Sequence, residues 1–447
     1  MKKRIFFYTF VAALGGLLFG YDTAVINGAL PFFTDYFQLT NSMQGWAVSS
    51  ALIGCIVGAF FIGRLGDKYG RRSMLRVMAL FFLISAIGSG LADSLTIFVV
   101  YRFLGGMAIG GASLLSPMYI TEIAPPKYRG RLTITFQLSI VLGILVAFYA
   151  DYLLLDIGEN NWRWMFASEA IPAFLFFGLL FFVGRSPRWL IAKGKLAEAR
   201  EVIISVNNVA DVESTFTEIK ESINTDEVES GKILLQKPYF KLVIIGILIG
   251  MFNQFTGINI VMYYATDIFR TAGFSTESAI GQTVLIGITN LVFTLIAMQL
   301  IDKIGRKILL LIGSIGMALF LGIFSFFFLT GTMNFVLVIC LIGFVAFFAA
   351  SQGAVIWVLF SEMFPNNIRS RGVAIGTFSH WFFNGLTSFL FPIVAGAFTN
   401  GMGTGYIFAF YALATLTSYF FYKKYLIETK GKSLEQIEKE LFKNETK

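Results

Sequence analysis

The chain has few charges, one histidine and two cysteines, and these shortages exclude several classes of protein. Only 14% of its 447 residues are charged. Cys55 and Cys340 lie in apolar segments, and neither has a His or a second Cys at metal-ligand spacing, so they indicate no disulfide, redox or metal site. His380 also lies inside an apolar segment, which argues against an enzyme with a catalytic histidine at a water-facing edge. The sequence therefore predicts a chain without cofactors that is not an enzyme.

What the chain has instead is long apolar runs, and 56% of its residues are hydrophobic. The runs are long enough to cross about 30 Å of hydrocarbon. Backbone polar groups in lipid must be satisfied within the chain, so we expect the runs to be helices. The predicted fold class is an all-α membrane protein, embedded in a lipid bilayer, with twelve transmembrane helices near residues 5–31, 45–65, 73–91, 95–118, 132–153, 164–183, 239–269, 278–301, 307–329, 333–361, 371–398 and 405–426.

The net charge of +8 does not indicate a nucleic-acid-binding protein. Lys and Arg fall almost wholly in alternate loops between the runs, which is the asymmetry that orients a membrane protein. The basic loops belong on the cytoplasmic side. The predicted location is the plasma (inner) membrane of the cell, with both termini in the cytoplasm.

The chain repeats itself on either side of a long polar segment. The stretch "DKYGRR" at Asp67 returns as "DKIGRK" at Asp302, and "EIAPPKYRGR" at Glu122 returns as "EMFPNNIRSR" at Glu362. The repeats predict two pseudo-symmetric six-helix halves. We place the N-terminal half at residues 1–183 and the C-terminal half at residues 239–426. A cytoplasmic helical linker at 184–238 joins them, and a cytoplasmic C-terminal tail follows at 427–447. Apolar residues recur at helical spacing in the linker, at Val212, Phe216, Ile219 and Ile223.

Nine motifs in order resemble one family, the sugar porters of the major facilitator superfamily. They are "GGLLFGYDTAVI", "GRLGDKYGRR", "YRFLGG", "EIAPPKYRGR", "SPRWL", "NQFTGINIVMYY", "DKIGRK", "SEMFPNNIRSRG" and "ETKGKSLEQIE". The resemblance covers nearly the whole chain. It implies a twelve-helix bundle that moves a small sugar by alternating access, with proton coupling in many members. The function predicted is therefore proton-coupled import of a monosaccharide, a hexose or a pentose.

Span 7 carries the residue types that a sugar site needs, because amide side chains both donate and accept hydrogen bonds. Gln254 and Asn259 would point roughly 140° apart on an unbroken helix. Gly257 lies between them and is able to interrupt the helix, so that both amides face one cavity. The alternative is that these buried amides only tie helices together.

The resemblance supplies further sugar contacts by motif. They are Gln137, Asn253, Asn290, Trp357, His380 and Asn384, with Tyr263 and Trp381 as wall residues. The alternative for Trp357 is that it only packs. His380 stands where the family often has Gln or Asn, and it bonds either the sugar or a neighbouring helix. Gln352, Ala354 and Arg185 are other departures from the family pattern.

Three ionisable residues fall well inside apolar runs of the first half: Asp22, Arg102 and Glu169. Unpaired charges there are costly. We expect Arg102 to neutralise one carboxylate while the other takes up a proton, which would couple transport to protons. A purely structural ion pair is the alternative.

The repeated motifs bring carboxylates and arginines to the cytoplasmic ends of the helices. A few ion pairs present in only one state are enough to bias a two-state protein. We predict a cytoplasmic latch formed by Asp67, Arg71, Glu122 and Arg129 together with Asp302, Arg306, Glu362 and Arg369. The alternative is charge that only sets membrane orientation.

Three other functions compete with a proton-coupled importer. A facilitative sugar uniporter would share the fold, but such carriers often have Asn where this chain has Asp22. An exporter of hydrophobic solutes would not need the amides of span 7. A membrane enzyme would need catalytic groups at a water-facing edge.

Overall fold

The computed structural model describes residues 3–125, 128–206, 212–224, 234, 236, 239–331, 334–365, 368–398 and 401–430. The chain divides into two compact units: unit 1 holds residues 1–32 and 50–228, and unit 2 holds residues 33–49 and 229–447. The end of the first helix and the start of the second are thus grouped with unit 2. The boundaries that we drew for the two halves from the sequence repeats stay a prediction.

The first ten helices run through the first half of the chain. They are α1 (Lys3–Phe37), α2 (Asn41–Tyr69), α3 (Arg71–Leu91), α4 (Leu95–Ile123), α5 (Arg129–Leu153), α6 (Asn161–Ser168), α7 (Ala170–Leu179), α8 (Pro187–Ala192), α9 (Leu196–Val206) and α10 (Val212–Asn224). Eight more lie in unit 2: α11 (Tyr239–Gln254), α12 (Ile258–Thr271), α13 (Thr276–Ile304), α14 (Arg306–Thr330), α15 (Asn334–Ala350), α16 (Gln352–Glu362), α17 (Arg369–Gly396) and α18 (Met402–Tyr425).

Nine segments in the described part of the chain are long and apolar enough to cross a membrane. They are α1 to α5, α11 with α12, α13, α14, and α15 with α16. The other three predicted spans are helical but more polar or interrupted. Predicted span 6 is divided at Glu169 into α6 and α7, and the predicted spans 11 and 12 fall in α17 and α18. The polar His380 and Asn384 lower the hydropathy of α17.

The outer faces of the helices are apolar, whereas glycines form the contact between α2 and α4. Phe60, Leu91 and Ile171 are among the exposed large side chains, which lipid tails would cover. Gly54 and Gly58 of α2 face the backbone of α4, and Gly106 and Gly110 of α4 face the backbone of α2. A Cβ at any of the four would overlap the facing chain. The two helices therefore pack backbone to backbone, as small-xxx-small patterns permit.

Three short helices, α8, α9 and α10, form their own small core after α7. Trp189, Leu190, Ile203, Val212 and Phe216 are buried in it. Val212, Phe216 and Ile219 of α10 face this core, and the role of the segment as a cytoplasmic linker stays a prediction. Parts of the predicted linker, 207–211 and 225–233, and the tail residues 431–447 lie outside the described residues.

Candidate functional site

The predicted interruption of span 7 is present and separates α11 from α12. Gly257 has φ 80° and precedes the first residue of α12, a left-handed conformation that glycine adopts without a Cβ clash. The hydroxyl of Thr256 donates to the carbonyl of Asn253 over 2.7 Å, and the N–H of Gly257 donates to the carbonyl of Gln254 over 2.9 Å. These bonds satisfy carbonyl groups that the end of α11 leaves free.

The break brings five polar side chains into one hydrogen-bonded group, which we call the polar cluster. Nδ2 of Asn259 donates to Oε1 of Gln254 over 2.7 Å. Nε2 of Gln254 donates to Oδ1 of Asn253 over 3.0 Å and to the ring of His380, where Nδ1 lies at 3.0 Å. Nδ2 of Asn253 donates to Oε1 of Gln352 over 3.2 Å. Gln254 is the centre of the cluster.

The helices α11 and α17 position His380 in this cluster. Gly250 of α11 lies so close to α17 that a Cβ would reach 2.9 Å from the backbone nitrogen of His380. Ser379 donates to the carbonyl of Ile247 over 2.8 Å and ties the same two helices. Because an imidazole nitrogen has to accept from Gln254, the ring must be neutral when this bond is formed.

The outer side of the cluster has the chemistry to bind a polyol with an apolar face. Both N–H groups of Gln254 are used inside the cluster, so its remaining capacity is as an acceptor. Asn259 and His380 are half-buried rather than closed off. The ring of Trp357, 37% exposed, lies with its centroid 5.0 Å from that of His380. Amides and an aromatic face therefore lie next to each other.

The other residues predicted to contact sugar lie outside the cluster. Nδ2 of Asn384 donates to the hydroxyl of Tyr263 over 3.2 Å. Asn290 is buried on α13, and Gln137 is half-buried on α5 in unit 1. Trp381 lies beside His380, with ring centroids 5.5 Å apart. The sugar-binding role of these residues stays a prediction.

Gln352 is a member of the cluster that the sequence analysis did not place there. It begins α16 directly after Ser351, where the helix of span 10 is broken. The side chain is fully buried, and its Nε2 has no hydrogen-bond partner among the described residues. A glutamine inside the apolar run of span 10, beside Gly353, was the signal in the sequence.

A buried ion pair lies inside unit 1. Arg102 of α4 donates to the carboxylate of Asp22 and, over 3.0 Å, to the backbone carbonyl of the same residue. The two side chains are 2% and 0% exposed. The guanidinium also lies over the ring of Phe166, 5.4 Å from its centroid. Gly105 leaves room for the pair, since a Cβ there would lie 2.5 Å from Oδ2 of Asp22.

Glu169 is the second carboxylate of this region and lies where α6 gives way to α7. It is 1% exposed and lies within electrostatic range of both Asp22 and Arg102. One oxygen of each carboxylate has no hydrogen-bond partner among the residues that the structure describes. Next to Glu169, the hydroxyl of Ser168 lies 2.7 Å from the hydroxyl of Tyr21.

The predicted latch residues form one charge triad in each unit. In the first, Arg71 lies 2.8 Å from Asp67 and 3.1 Å from Glu122. In the second, Arg306 lies 3.2 Å from Asp302 and 3.1 Å from Glu362. For the other two predicted members, Arg129 is exposed at the start of α5, and Arg369 donates to the carbonyl of Phe364 over 3.1 Å.

A different chain segment supports each triad. The indole of Trp189 donates to the carbonyl of Asp67 over 3.0 Å at the first triad. At the second, the carboxylate of Glu428 accepts from the backbone N–H groups of Arg306 and Lys307 over 2.9 and 3.0 Å, and Thr429 donates to Glu362. The sequence analysis had not predicted the role of Glu428.

The departure at Arg185 is partly compensated in the structure. Its guanidinium lies 3.4 Å from the carboxylate of Glu198 on α9 and 5.7 Å from the ring centroid of Trp189. The charge that replaces the usual family carboxylate therefore has a partner within unit 1.

Comparison with known proteins places these features in a family. The model of the family described as sugar (and other) transporter matches residues 8–441. The chain is 38% identical, over 100% of its length and 97% of the relative, to the D-xylose-proton symporter of Escherichia coli K12. It is 38% identical, over 96% of its length and 93% of the relative, to the arabinose-proton symporter of Bacillus subtilis.

Solved structures of sugar transporters have the same fold as this chain. The inward open form of the xylose transporter XylE from E. coli superposes with a TM-score of 0.86 at 36% identity, covering 97% of this chain and 99% of that one. XylE bound to 6-bromo-6-deoxy-D-glucose gives 0.81 at 38% identity, covering 98% and 99%. The predicted helical membrane fold and the prediction of a transporter rather than an enzyme are confirmed. The chain belongs to the sugar (and other) transporter family, the sugar porters of the major facilitator superfamily, and is a multi-pass membrane protein that transports sugar.

Proposed function

We propose that the protein imports a monosaccharide, a hexose or a pentose, together with a proton. The observation that carries the proton coupling is the buried group of Asp22, Arg102 and Glu169. It contains two carboxylates and one guanidinium. Leaving an unpaired charge in this environment is costly, so one carboxylate has to bind a proton whenever both are buried.

Proton and sugar are coupled if the protonated form is the one that carries sugar inward. A proton and a sugar bind from outside, and the protein then closes to the outside and opens to the inside. Release of both ligands there lets Asp22 ionise and pair with Arg102 again. A ligand shifts such an equilibrium only by its different affinity for the two states. Arg102 makes the protonated and ionised forms of the protein differ in energy, because its charge stabilises Asp22 only when Asp22 is ionised.

The polar cluster and Trp357 bind the sugar in this proposal. Sugar hydroxyls donate to the free acceptor of Gln254 and bond Asn259 and His380, while an apolar ring face stacks on the indole. Gln137, Asn290 and Asn384 are proposed as further sugar contacts. Two relatives are named as proton symporters, of D-xylose and of arabinose, which supports extending the coupling to this chain.

The remaining features of the proposal concern membrane orientation and gating. We infer a location in the plasma membrane with both termini in the cytoplasm, from the alternation of basic loops. The two charge triads act as the cytoplasmic latch. The pairs that involve the exposed Asp67 and Asp302 are each worth only about 0.2–1 kcal/mol, but a set that forms in one state alone biases the equilibrium.

Uptake into proteoliposomes tests the proposed function. We expect an imposed inward proton gradient to drive accumulation of labelled sugar above its outside concentration, and sugar addition to make a weakly buffered outer medium more alkaline. A competition panel of hexoses and pentoses identifies the substrate. Equilibration without accumulation, at any imposed gradient, would instead establish a facilitative uniporter, and no uptake of any monosaccharide would refute the sugar assignment to this site.

A further inference from the structure

Unit 1 contains another buried carboxylate, Asp151, on α5. The residue is 0% exposed. Its Oδ2 accepts from the backbone N–H of Gly28 on α1 over 3.2 Å. Its Oδ1 has no hydrogen-bond partner among the described residues. Gly28 makes this contact feasible, since a Cβ there would lie 2.5 Å from Oδ2.

Charge balance gives this carboxylate a chemical role. The described residues of unit 1 include three buried carboxylates, Asp22, Glu169 and Asp151, while the guanidinium of Arg102 is bonded to Asp22. Within the described residues, no basic side chain pairs with Asp151. A backbone N–H is weak compensation for a buried negative charge, so the neutral, protonated acid is favoured.

The position of Asp151 relates it to the ion pair. Its partner Gly28 lies six positions after Asp22 on α1, which is about 9 Å along the helix axis. The membrane orientation that we infer puts this end of α1 and of α5 toward the outside. Asp151 therefore lies between the outer solution and the pair of Asp22 and Arg102.

Two hydroxyl groups, of Tyr21 and Ser168, form a hydrogen-bonded pair next to Glu169. Tyr21 of α1 lies within electrostatic range of both Asp151 and Glu169. The hydroxyl of Ser168 donates to the carbonyl of Met165 over 2.5 Å, so it accepts from Tyr21 in the 2.7 Å contact between the two hydroxyls. Ser168 directly precedes Glu169 in the chain.

We propose that Asp151 is a second proton-binding residue, which takes its proton from the outer solution and supplies it to Glu169 and Asp22 through Tyr21 and Ser168. When Tyr21 comes within hydrogen-bond distance of Asp151, the O–H bond of Asp151 breaks and its proton passes to the oxygen of Tyr21. Tyr21 gives its own proton to Ser168, whose hydroxyl turns from Met165 and protonates Glu169, while Glu169 passes the proton that it already holds to the carboxylate of Asp22. The negative charge left on Asp151 is cancelled by a proton from outside. The inference rests on the proposed proton coupling.

The variant Asp151→Asn tests the proposal without removing the contact to α1, because an amide oxygen still accepts from Gly28. We expect proton-driven accumulation to begin about tenfold more slowly, equivalent to about 1.4 kcal/mol in the barrier. Exchange of labelled for unlabelled sugar should stay at the wild-type rate. Tyr21→Phe, which removes only the hydroxyl, should slow accumulation in the same selective way.

Infrared difference spectra of the purified protein in vesicles provide a second measurement. The wild-type spectrum should contain a band of a protonated carboxylic acid that is lost in Asp151→Asn and kept in Tyr21→Phe. Wild-type rates of accumulation in Asp151→Asn, or an equal loss of accumulation and exchange, would overturn the proposal. If the wild-type protein itself shows no proton-driven accumulation, the proposed function fails; if it does and Asp151→Asn matches it, only the role of Asp151 fails.

Discussion

Asn259 donates a hydrogen bond to Gln254 across the break in span 7, with 2.7 Å between Nδ2 and Oε1. The two residues lie five positions apart in the chain, and a continuous helix would hold their side chains on different sides. The bond therefore depends on the left-handed backbone of Gly257.

Gly257→Ala should weaken sugar binding about tenfold or more. A left-handed conformation costs a residue with a Cβ about 1–2 kcal/mol, and this Cβ would also overlap the ring of Tyr411. Relief of that strain would separate Asn259 from Gln254. Gly331→Ala is the matched control, since Gly331 has φ 66° and no neighbour within 4 Å of the added carbon. Equal sugar affinity in the two variants, measured by equilibrium binding, would contradict this account.

Asp22→Asn should abolish proton-driven accumulation and spare downhill exchange of labelled for unlabelled sugar. The amide keeps the shape of the carboxylate but cannot lose a proton or form an ion pair with Arg102. Asp93→Asn is the control, because Asp93 is an exposed carboxylate 3.4 Å from Arg163. A variant at position 22 that still concentrates sugar under an imposed pH difference would show that Asp22 is not the coupling residue.

His380→Gln should keep transport but alter the ranking of competing sugars. Glutamine also offers a donor and an acceptor, but its amide holds them in a different geometry from the two ring nitrogens of a neutral imidazole. If His380 only packs, the ranking at matched expression would be unchanged and the protein yield would fall.

The same histidine should make sugar affinity sensitive to acid. Protonation removes the ring acceptor that Gln254 uses, so affinity is present when the ring is neutral and falls as the pH is lowered through its titration. Binding is best measured in the Asp22→Asn background, where the coupling proton no longer contributes. His380→Gln in that background should remove the fall; if the fall remains, another group causes it.

Gln352 should act on sugar affinity through Asn253. Gln352→Met removes the acceptor of the 3.2 Å bond and should weaken binding several-fold, in the range expected for about 1 kcal/mol from one hydrogen bond. Gln352→Glu keeps an acceptor at the same place and should restore part of the affinity. If both variants lose the same affinity, Gln352 acts through its own N–H groups and not through Asn253.

The features that the sequence predicted are those with a strong local signal. Gly257 between two amides is a local pattern, and the structure has the helix break there. Arg102 was predicted to neutralise one of the two carboxylates, Asp22 or Glu169, because a charge inside an apolar run needs a partner and few partners were available. The membrane fold was predictable for the same reason, since long apolar runs permit few structures.

The features that were missed depend on contacts between distant segments. Gln352 joins Asn253 from another helix, and no spacing in the sequence relates the two. Asp151 lies at the end of an apolar run, where a carboxylate usually marks the membrane surface. Glu428 follows the last helix and reads as part of a polar tail, although its carboxylate binds the start of α14.

The glycines between α2 and α4 determine which amino-acid substitutions the transporter tolerates there. At Gly54, Gly58, Gly106 and Gly110 the smallest substitution, alanine, already forces two backbones apart. The neighbouring lipid-facing positions, such as Phe60, accept any apolar side chain of similar size. A saturation library scored for transport would therefore retain only glycine at these four positions and many apolar residue types at lipid-facing positions such as Phe60.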